Sequence, residues 1–428
     1  MSASDRAARA IVLALLRRIE VGTLVVAERG RHRGVGSGPP VATIEVCDPR
    51  FWRALLRGSR GMAHAYSEGW WDSPDLVAVI RLAARNSHLL DAPRRRLAFA
   101  RGPLQWASAL ARPATRDRSR EDISAHYDLG NELFSRMLDP TLSYSCAVFD
   151  EPTMTLEAAQ IAKLERICAR LELASTDRLL EIGTGWGALA IYAARTRGCQ
   201  VTTTTISREQ YDYAREQVRR AGLQDRVTVL MQDYRDLRGR YDKLVCIEMI
   251  EAVGWRGTGQ FFATCSGLLE SDGAMLLQAI TIDDRAYEVE KISGSFIRTY
   301  IFPGGSLPSM EVIARNVARR TDMQMLHLDD ITRHYVETLR RWRERFDAHA
   351  AELDGLGYDE TFRRLWTLYL SYCEAGFAER RICNVQVLLG KPRHRLGHAE
   401  VLASSGTAAP HASERRRSAS TPSGASAR

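Results

Sequence analysis

A glycine-rich segment near the middle of the chain has the residue types of a ligand-binding loop. Glu181 stands just before it, and Gly183, Gly185 and Gly187 follow at every second position. Glycines let a chain turn tightly and let a ligand touch the backbone, and the start of the next helix presents free N–H groups. The segment therefore has the chemistry to bind an extended, partly polar small molecule.

The loop alone leaves three interpretations open. Its spacing is not the G-x-G-x-x-G of dinucleotide-binding loops, although NAD(P) is not excluded by this. Acidic Glu181 suits a nucleoside or a cation, and S-adenosylmethionine has both features. A structural turn without any ligand is the third interpretation.

The next two apolar runs favour S-adenosylmethionine. The first ends near Thr205, Ser207 and Gln210, whereas a dinucleotide enzyme normally places an acidic residue here for the ribose hydroxyls. The second ends in Gln232 and Asp233. The Asp233 carboxylate is either an adenine-side contact or the cap of a turn.

Strands and helices alternate around these residues. Apolar, β-branched runs predict strands at 178–183, 201–206, 226–232, 241–247 and 274–280. Helical patterns occupy 188–195, 208–221 and 259–269. This alternation predicts an α/β fold with a parallel sheet covered on both faces. The run 385–389 is predicted to add an edge strand.

Composition restricts the class of protein. The chain has 428 residues, of which 45% are hydrophobic and 26% charged, so it is not a disordered chain. Its eight cysteines include no C-x-x-C pair, which fits a reducing compartment and predicts no metal site. No apolar run reaches the roughly 20 residues of a membrane span. We therefore expect a cytoplasmic protein.

Charge and composition also predict a domain organisation. Residues 1–84 form a small domain, with a helix at 7–20, short strands at 22–27 and 42–46 around a Gly/Pro loop at 34–40, and a helix at 75–84. A basic linker spans 85–120, a large domain 121–392, and a disordered basic tail 393–428. The net charge of +8 is concentrated in the linker and the tail. It indicates either a polyanionic neighbour or ordinary solvated surface.

The ordered motifs resemble those of the cyclopropane-fatty-acyl-phospholipid synthase family, which includes the mycolic acid methyltransferases. The matching blocks are at 126–131, 139–146, 181–187, 205–210, 232–236, 248–254, 300–309, 335–346 and 372–377. They follow the family's order from about 121 to 391, and 61–76 is similar to the N-terminal domain of full-length bacterial synthases. The resemblance implies a Rossmann-like methyltransferase sheet with an N-terminal accessory domain.

What the resemblance implies chemically is transfer of a methyl group from S-adenosylmethionine to the double bond of an unsaturated phospholipid acyl chain. Attack by the alkene leaves a carbocation, and a base must then remove a proton. The expected product is a cyclopropane fatty acid. The alternative is a methylene or methyl-branched chain, the latter made with a separate reductase.

The resemblance also implies a bicarbonate ion as the base, held at Cys146, Glu251, Tyr335 and the backbone of Ile280. Gln278 replaces a histidine common in the family, and Ala252 stands where another histidine is found; both resemble a subgroup proposed to make methyl-branched chains. The alternatives are an inert Cys146 thiol, a capping Glu251 and a core Tyr335.

The predicted site thus has two parts. The predicted catalytic residues are Cys146, Glu251, Gln278, Ile280 and Tyr335. The predicted cofactor contacts are Tyr144, Ser145, Glu181, Gly183, Gly185, Gly187, Thr205, Ser207, Gln210, Gln232 and Asp233. The first two of these contacts rest on the resemblance.

The predicted partner is unsaturated phospholipid at a membrane surface, with the enzyme peripherally attached. The stretch 334–349 has apolar residues at helical spacing and arginines elsewhere, so it either lies on anionic lipid or packs against its own core. A homodimer is a further prediction. A non-catalytic lipid-binding protein is a rival hypothesis. Nucleic-acid methylation has little support, because the Asn/Asp-Pro-Pro-Tyr motif is missing, and no nucleic-acid partner is expected.

Overall fold

The structure is a computed structural model that describes residues 1–87 and 129–395. Most of the predicted linker and tail, and the start of the 126–131 motif, lie outside the described residues. The domain boundaries themselves stay predictions.

The N-terminal part combines a four-stranded sheet with four helices. In chain order its elements are α1 (Ala3–Leu16), β1 (Gly22–Glu28), β2 (Arg31–Ser37), β3 (Val41–Val46), α2 (Phe51–Leu55), α3 (Ser59–Ser67), β4 (Trp71–Asp72) and α4 (Leu76–Arg85). The strand order is β2-β1-β3-β4, with β1 antiparallel to β2 and parallel to β3.

The predicted Gly/Pro loop at 34–40 is wrong over its first half. Residues 34–37 belong to β2, which pairs with β1 along its whole length. The turn lies earlier, at Arg29 and Gly30, whose φ angles are 52° and 73°. The alternation of apolar and polar side chains that indicates a strand is missing from this sequence, because Gly34 and Gly36 have no side chains.

The larger part is built on a seven-stranded sheet of order β10-β11-β9-β8-β5-β6-β7. Its strands are β5 (Arg178–Ile182), β6 (Gln200–Thr205), β7 (Val227–Met231), β8 (Tyr241–Ile247), β9 (Leu269–Ile282), β10 (Gln324–Asp330) and β11 (Ile382–Gly390). Strands β7, β6, β5, β8 and β9 are parallel neighbours, and β11 is antiparallel to both β9 and β10. The predicted α/β fold is confirmed.

Helices flank this sheet in the predicted alternation. They are α5 (Asn131–Met137), α6 (Leu156–Arg170), α7 (Ala188–Arg197), α8 (Arg208–Arg220), α9 (Thr258–Leu268), α10 (Asp284–Glu290), α11 (Met310–Arg320), α12 (Thr332–Ala348), α13 (Ala350–Gly355) and α14 (Glu360–Ala378). Short 3₁₀ turns lie at Tyr234–Asp236 and Ile250–Val253, and a π-helical turn at Ile297–Ile301.

The predicted edge strand at 385–389 is wrong in its position. It lies inside the sheet, as part of β11, and β10 forms the edge. The sequence pattern does not predict β10, because this strand includes Asp329 and Asp330 and none of its residues is buried. Acidic residues on an edge strand fit a position with one side open to water.

One apolar core joins the N-terminal helices to α12 and α14. Its fully buried side chains include Trp52, Trp71, Phe134, Trp342 and Trp366. The described N-terminal segment therefore packs onto the same apolar cluster that contains Tyr335, rather than forming a separate core.

The amphipathic stretch 334–349 forms most of α12 and packs against its own core. Leu339, Trp342 and Phe346 are at most 1% exposed. Its arginines bond within the protein: Arg343 to Glu374 and Arg345 to the carbonyls of Met137 and Leu138, for example. The lipid-surface interpretation of this helix is thus wrong.

Of the helices in the described ranges, none combines the length and the apolarity that crossing a bilayer would require.

Candidate active site

A pocket opens at the carboxyl ends of the parallel strands, where open α/β sheets commonly bind ligands. Residues after four consecutive strands line it: Gly183 after β5, Thr205 at the end of β6, Asp233 after β7 and Glu248 after β8. Nine of the predicted cofactor contacts line this pocket, namely Tyr144, Ser145, Glu181, Gly183, Gly185, Thr205, Gln210, Gln232 and Asp233.

The glycine loop turns in a conformation that requires glycine. Gly183 has φ 102°, and a Cβ there would meet the Met249 side chain at 3.1 Å. Gly187 has φ 94° and is the N-terminal residue bounding α7, close to Ala214. Gly187 lies outside the pocket lining, so its part in the geometry is to let the helix begin.

Glu181 lines the pocket and is 3% exposed. It accepts a hydrogen bond of 2.6 Å from Thr203 Oγ1. Burial raises its pKa to about 8. A cationic ligand would restore the ionised form, which is the behaviour expected of an acid that meets a sulfonium-bearing nucleoside.

The end of β6 forms a small network of hydroxyl and amide groups. Thr205 Oγ1 donates to Gln210 Oε1 over 2.9 Å and accepts from the backbone N–H of Ser207. Ser207 caps α8 with its side chain and lies outside the pocket lining. This network fixes Gln210 at the pocket wall.

Asp233 has the structural role that its sequence context left open. It caps the 3₁₀ turn Tyr234–Asp236 and forms an ion pair with Arg235 at 2.6 Å. It is 5% exposed, and both residues line the pocket together with Gln232.

A buried lysine, not predicted from the sequence, also lines the pocket. Lys163 of α6 is 1% exposed and donates to Ser145 Oγ over 2.7 Å. Burial lowers its pKa to about 8, against the opposing effect of nearby acids that include Glu248. Next to Ser145, the Tyr144 hydroxyl lies 2.8 Å from that of Tyr369.

Three of the predicted catalytic residues, Cys146, Gln278 and Tyr335, donate to a side chain that was not among them, Glu248. Its Oε1 accepts from the backbone N–H of Cys146 at 3.0 Å, from Gln278 Nε2 at 2.8 Å and from Asn384 Nδ2 at 2.6 Å. Its Oε2 accepts from the Tyr335 hydroxyl at 2.6 Å. Glu248 therefore joins the cofactor pocket to the predicted catalytic cluster.

Sheet register places the amide donors. Gln278 on β9 pairs with Gln386 on β11, and Asn384 pairs with Ile280. Gln386 Nε2 donates to Gln278 Oε1 over 2.9 Å, which turns the Gln278 amide nitrogen toward Glu248. All three amide side chains are at most 2% exposed.

Glu251 has a different environment. Its Oε1 accepts from the backbone N–H of Ile280 at 2.6 Å, and its Oε2 is buried without a hydrogen-bond partner. Burial, and next the charge of Glu248, raise its pKa to about 8. A proton on Glu251 relieves the repulsion between two neighbouring carboxylates.

The Cys146 thiol faces backbone, not the pocket. Its Sγ donates to the carbonyl of Ala147 at 3.2 Å, and burial raises its pKa well above the usual value. It is therefore a protonated, fully buried thiol, and Cys146 reaches the cluster through its backbone: its N–H donates to Glu248, and its carbonyl accepts from Gln278 Nε2 at 3.4 Å.

The predicted bicarbonate does not fit this arrangement. Tyr335 and Gln278, two of its predicted holders, already donate to Glu248. Ile280 donates to Glu251, and Cys146 offers only its N–H, again to Glu248. A bicarbonate ion would have to displace a carboxylate that already accepts the hydrogen bonds of these donors.

Comparisons with known proteins agree on the family. The family model described as mycolic acid cyclopropane synthetase matches residues 114–387. The tuberculostearic acid methyltransferase of Mycobacterium tuberculosis is 39% identical over 334 residues, covering 75% of this chain and 76% of the relative. The cyclopropane-fatty-acyl-phospholipid synthase of Escherichia coli is 38% identical over 364 residues, covering 83% and 89%.

A solved mycolic acid cyclopropane synthase in complex with S-adenosylhomocysteine superimposes with a TM-score of 0.59 at 30% identity. It covers 64% of this chain and 98% of that one. The sequence matches, the shared sheet and the pocket at its carboxyl edge lead to one conclusion: the chain belongs to the mycolic acid cyclopropane synthetase family of S-adenosylmethionine-dependent methyltransferases.

Proposed function

We propose that the protein transfers a methyl group from S-adenosylmethionine to the double bond of an unsaturated acyl chain of a phospholipid, and that loss of a proton then closes a cyclopropane. The observation that supports this most directly is the position of Glu248, which lines the glycine-loop pocket and accepts from Tyr335 and Gln278. A proton acceptor thus adjoins the methyl-donor pocket.

The chain's own residues suit this chemistry. S-adenosylmethionine, when bound, supplies an electrophilic methyl on a sulfonium. The strand ends hold it through the pocket residues described above. An alkene is a weak nucleophile, so the two reactants must be aligned and water excluded. The aromatic side chains around Tyr335 help to exclude water. Phe377 stacks on the Tyr335 ring with 4.4 Å between the ring centres, and Trp342 packs against it edge-on.

A second product has specific observations in its favour, namely a methylene-branched chain without ring closure. Gln278 cannot titrate, and it occupies the position of a family histidine. The relative that is 39% identical is a tuberculostearic acid methyltransferase. If the cation persists because the ring does not close at once, a hydride can shift along the chain before the proton leaves. The product is then a branched chain.

Membrane attachment rests on the exposed surface of the N-terminal part. Ile11 and Leu15, one helical turn apart on α1, are 51% and 43% exposed, and Leu56 is 49% exposed between Arg53 and Arg57 in the sequence. Apolar side chains flanked by arginines suit a surface of anionic lipid headgroups. A homodimer, and a separate reductase for a branched product, remain predictions.

One experiment tests the proposed reaction and separates its two products. Purified protein is incubated with oleoyl phospholipid vesicles and methyl-labelled cofactor, and the released chains are analysed by proton NMR. High-field ring protons are expected for a cyclopropane and vinylidene protons for a methylene branch. Absence of label in lipid would contradict both and would favour a non-catalytic lipid-binding protein.

A further inference from the structure

We infer that the Glu248 carboxylate is the base that removes the proton after methyl transfer, in the place where the family resemblance implies a bicarbonate ion. This inference rests on the proposed function, since it assigns the proton acceptor of that reaction. The inference is supported by the four hydrogen bonds to the carboxylate, by the access of the side chain to the pocket, by its backbone conformation and by the environment of the neighbouring Glu251.

The four donors divide unequally between the two carboxylate oxygens of Glu248. Oε1 accepts three hydrogen bonds, from Cys146 N, Gln278 Nε2 and Asn384 Nδ2, whereas Oε2 accepts one, from Tyr335. An ionised carboxylate offers about four lone-pair sites over its two oxygens. Oε1 is therefore saturated and fixed, and Oε2 retains capacity for a proton.

The Glu248 side chain has access to the cofactor pocket. Glu248 lines the cofactor pocket, whereas Glu251, Gln278 and Tyr335 do not border it. The carboxylate therefore belongs both to the wall that faces the bound methyl donor and to the cluster behind it. A base must reach the reacting carbon, and Glu248 has this position.

The backbone of Glu248 adopts a conformation that is unusual for a residue other than glycine. Glu248 has φ 47°, the left-handed region that a non-glycine residue occupies at a cost of about 1–3 kcal/mol. Its N–H donates to the carbonyl of Gln278 at 2.8 Å, which holds this conformation against β9. Strained residues of this kind occur most often at functional sites, and here the strain turns the side chain into the donor cluster.

The neighbouring acid has fewer donors than Glu248. Glu251 has one oxygen without a partner and accepts one hydrogen bond, from the backbone N–H of Ile280. Hydrogen-bond donors favour the charged form of the carboxyl group that they face. Glu248 faces four of them.

The step balances without another reactant. The alkene π electrons form a C–C bond to the methyl carbon while the S–C bond breaks, so S-adenosylhomocysteine leaves as a neutral molecule. The cation remains on the acyl chain. Glu248 Oε2 takes a proton from the chain, and the electrons of that C–H bond form either the ring bond or a double bond. Glu248 returns its proton to water when the product leaves.

The test compares wild type with Glu248→Gln and Glu248→Gly in buffer stripped of carbon dioxide, with and without added bicarbonate. Methyl transfer to oleoyl phospholipid vesicles is measured. We expect the wild-type rate to be unchanged by bicarbonate. Both variants should lose about 100-fold or more, the size expected of a lost general base. The Gly variant, with the side chain removed, should recover at least tenfold with bicarbonate or formate, whereas the Gln variant should not.

Folding of the variants is checked by binding of S-adenosylhomocysteine, measured by calorimetry, which should stay within a few-fold of wild type. Glycine adopts φ 47° without strain, so the Gly variant should fold. Glu172→Gly is the matched control, because Glu172 has φ 50° at the end of α6, outside the pocket lining. It should leave the rate unchanged.

Two results would overturn the assignment: a wild-type enzyme that loses most of its activity when bicarbonate is removed, or a Glu248→Gln variant as fast as wild type. Failure of the proposed function looks different, because wild type itself would then transfer no label to lipid under any buffer. The two failures are thus distinguishable in one set of assays.

Discussion

The backbone N–H of Ile280 donates to Oε1 of Glu251 over 2.6 Å and ties the 3₁₀ turn after β8 to the end of β9. The other carboxyl oxygen is buried and has no partner. A neutral acid suits this environment, since a proton on the unpartnered oxygen removes the cost of burying a charge beside Glu248.

Glu251→Gln should retain activity and change its dependence on pH. The pKa of Glu251 is raised to about 8, so wild type holds the neutral acid below that pH and a second negative charge above it. We expect kcat/KM of wild type to fall as pH rises through about 8, and that of the Gln variant to stay level there. The measurement is a pH–rate profile of both proteins. Identical profiles would assign the fall to another group, such as Lys163.

Tyr335→Phe removes the single donor to Glu248 Oε2 and keeps the stacking on Phe377. A hydrogen bond to a charged group is worth about 1.5–3 kcal/mol, so kcat should fall about 10- to 100-fold. Binding of S-adenosylhomocysteine should not change, because Tyr335 lies outside the pocket lining. A variant with normal kcat and a lowered unfolding free energy would mean that Tyr335 is only a core residue.

Lys163→Met tests the buried lysine through stability. Burial lowers the pKa of Lys163 from 10.5 to about 8, so the folded protein binds fewer protons than the unfolded chain between these values. Stability conferred by the wild-type side chain should therefore rise as pH increases from about 8 to 10.5, by up to about 3 kcal/mol. Urea unfolding of both proteins across this range measures it. Parallel pH curves for wild type and variant would contradict the buried, charged lysine.

The parts that could be predicted from sequence are those with local periodicity. The strands at 178–183, 201–206 and 241–247 and the helices between them follow from apolar runs and glycine punctuation, and each lies within a few residues of the observed element. β2 and β10 could not be found in this way. Glycines interrupt the side-chain pattern of β2, and β10 ends in two acidic residues and lacks an apolar run.

The predicted catalytic cluster divides along the same line. Cys146, Gln278 and Tyr335 converge on Glu248, and Glu251 bonds to Ile280, but the sequence presented Glu248 only within the motif at 248–254. The contacts of Glu248 depend on the pairing between β9 and β11, which brings the side-chain amides of Asn384 and Gln278 close enough to donate to the same carboxylate oxygen. No local pattern encodes that register. A glutamate directly after a buried strand, at the carboxyl edge of the sheet, was the available signal.

Gly183→Ala should weaken cofactor binding. Gly183 has φ 102°, and an added Cβ would press on Met249 at 3.1 Å, so the loop must shift at a cost of about 1–3 kcal/mol. We expect affinity for S-adenosylhomocysteine to fall at least tenfold by calorimetry. Gly222→Ala is the matched control, with φ 67° and open space around its Cβ, and should lower stability alone. Equal loss of affinity in both would assign the effect to general destabilisation.

Arg364 of α14 holds the N-terminal part to the core that surrounds Tyr335. Its guanidinium donates to the carbonyl of Tyr66 at 2.7 Å, to the carbonyl of Trp71 at 3.0 Å and to Asp72 at 3.0 Å, and it lies over the Tyr66 ring. The side chain is 18% exposed. A planar, three-way contact of this kind depends on the arginine fork, so lysine cannot reproduce it.

Arg364→Met should therefore lower the free energy of unfolding by about 2–4 kcal/mol, because it leaves two carbonyls and a carboxylate without their charged donor. Arg364→Lys should recover less than half of that loss. The neighbouring Arg363→Met is the control. Arg363 pairs with Asp354, which is 64% exposed, and donates to the carbonyl of Tyr358 at 2.9 Å, so its loss should cost about 1 kcal/mol. Urea unfolding compares the three. Equal losses for Arg363→Met and Arg364→Met would show that the contacts of Arg364 add no more to stability than those of Arg363.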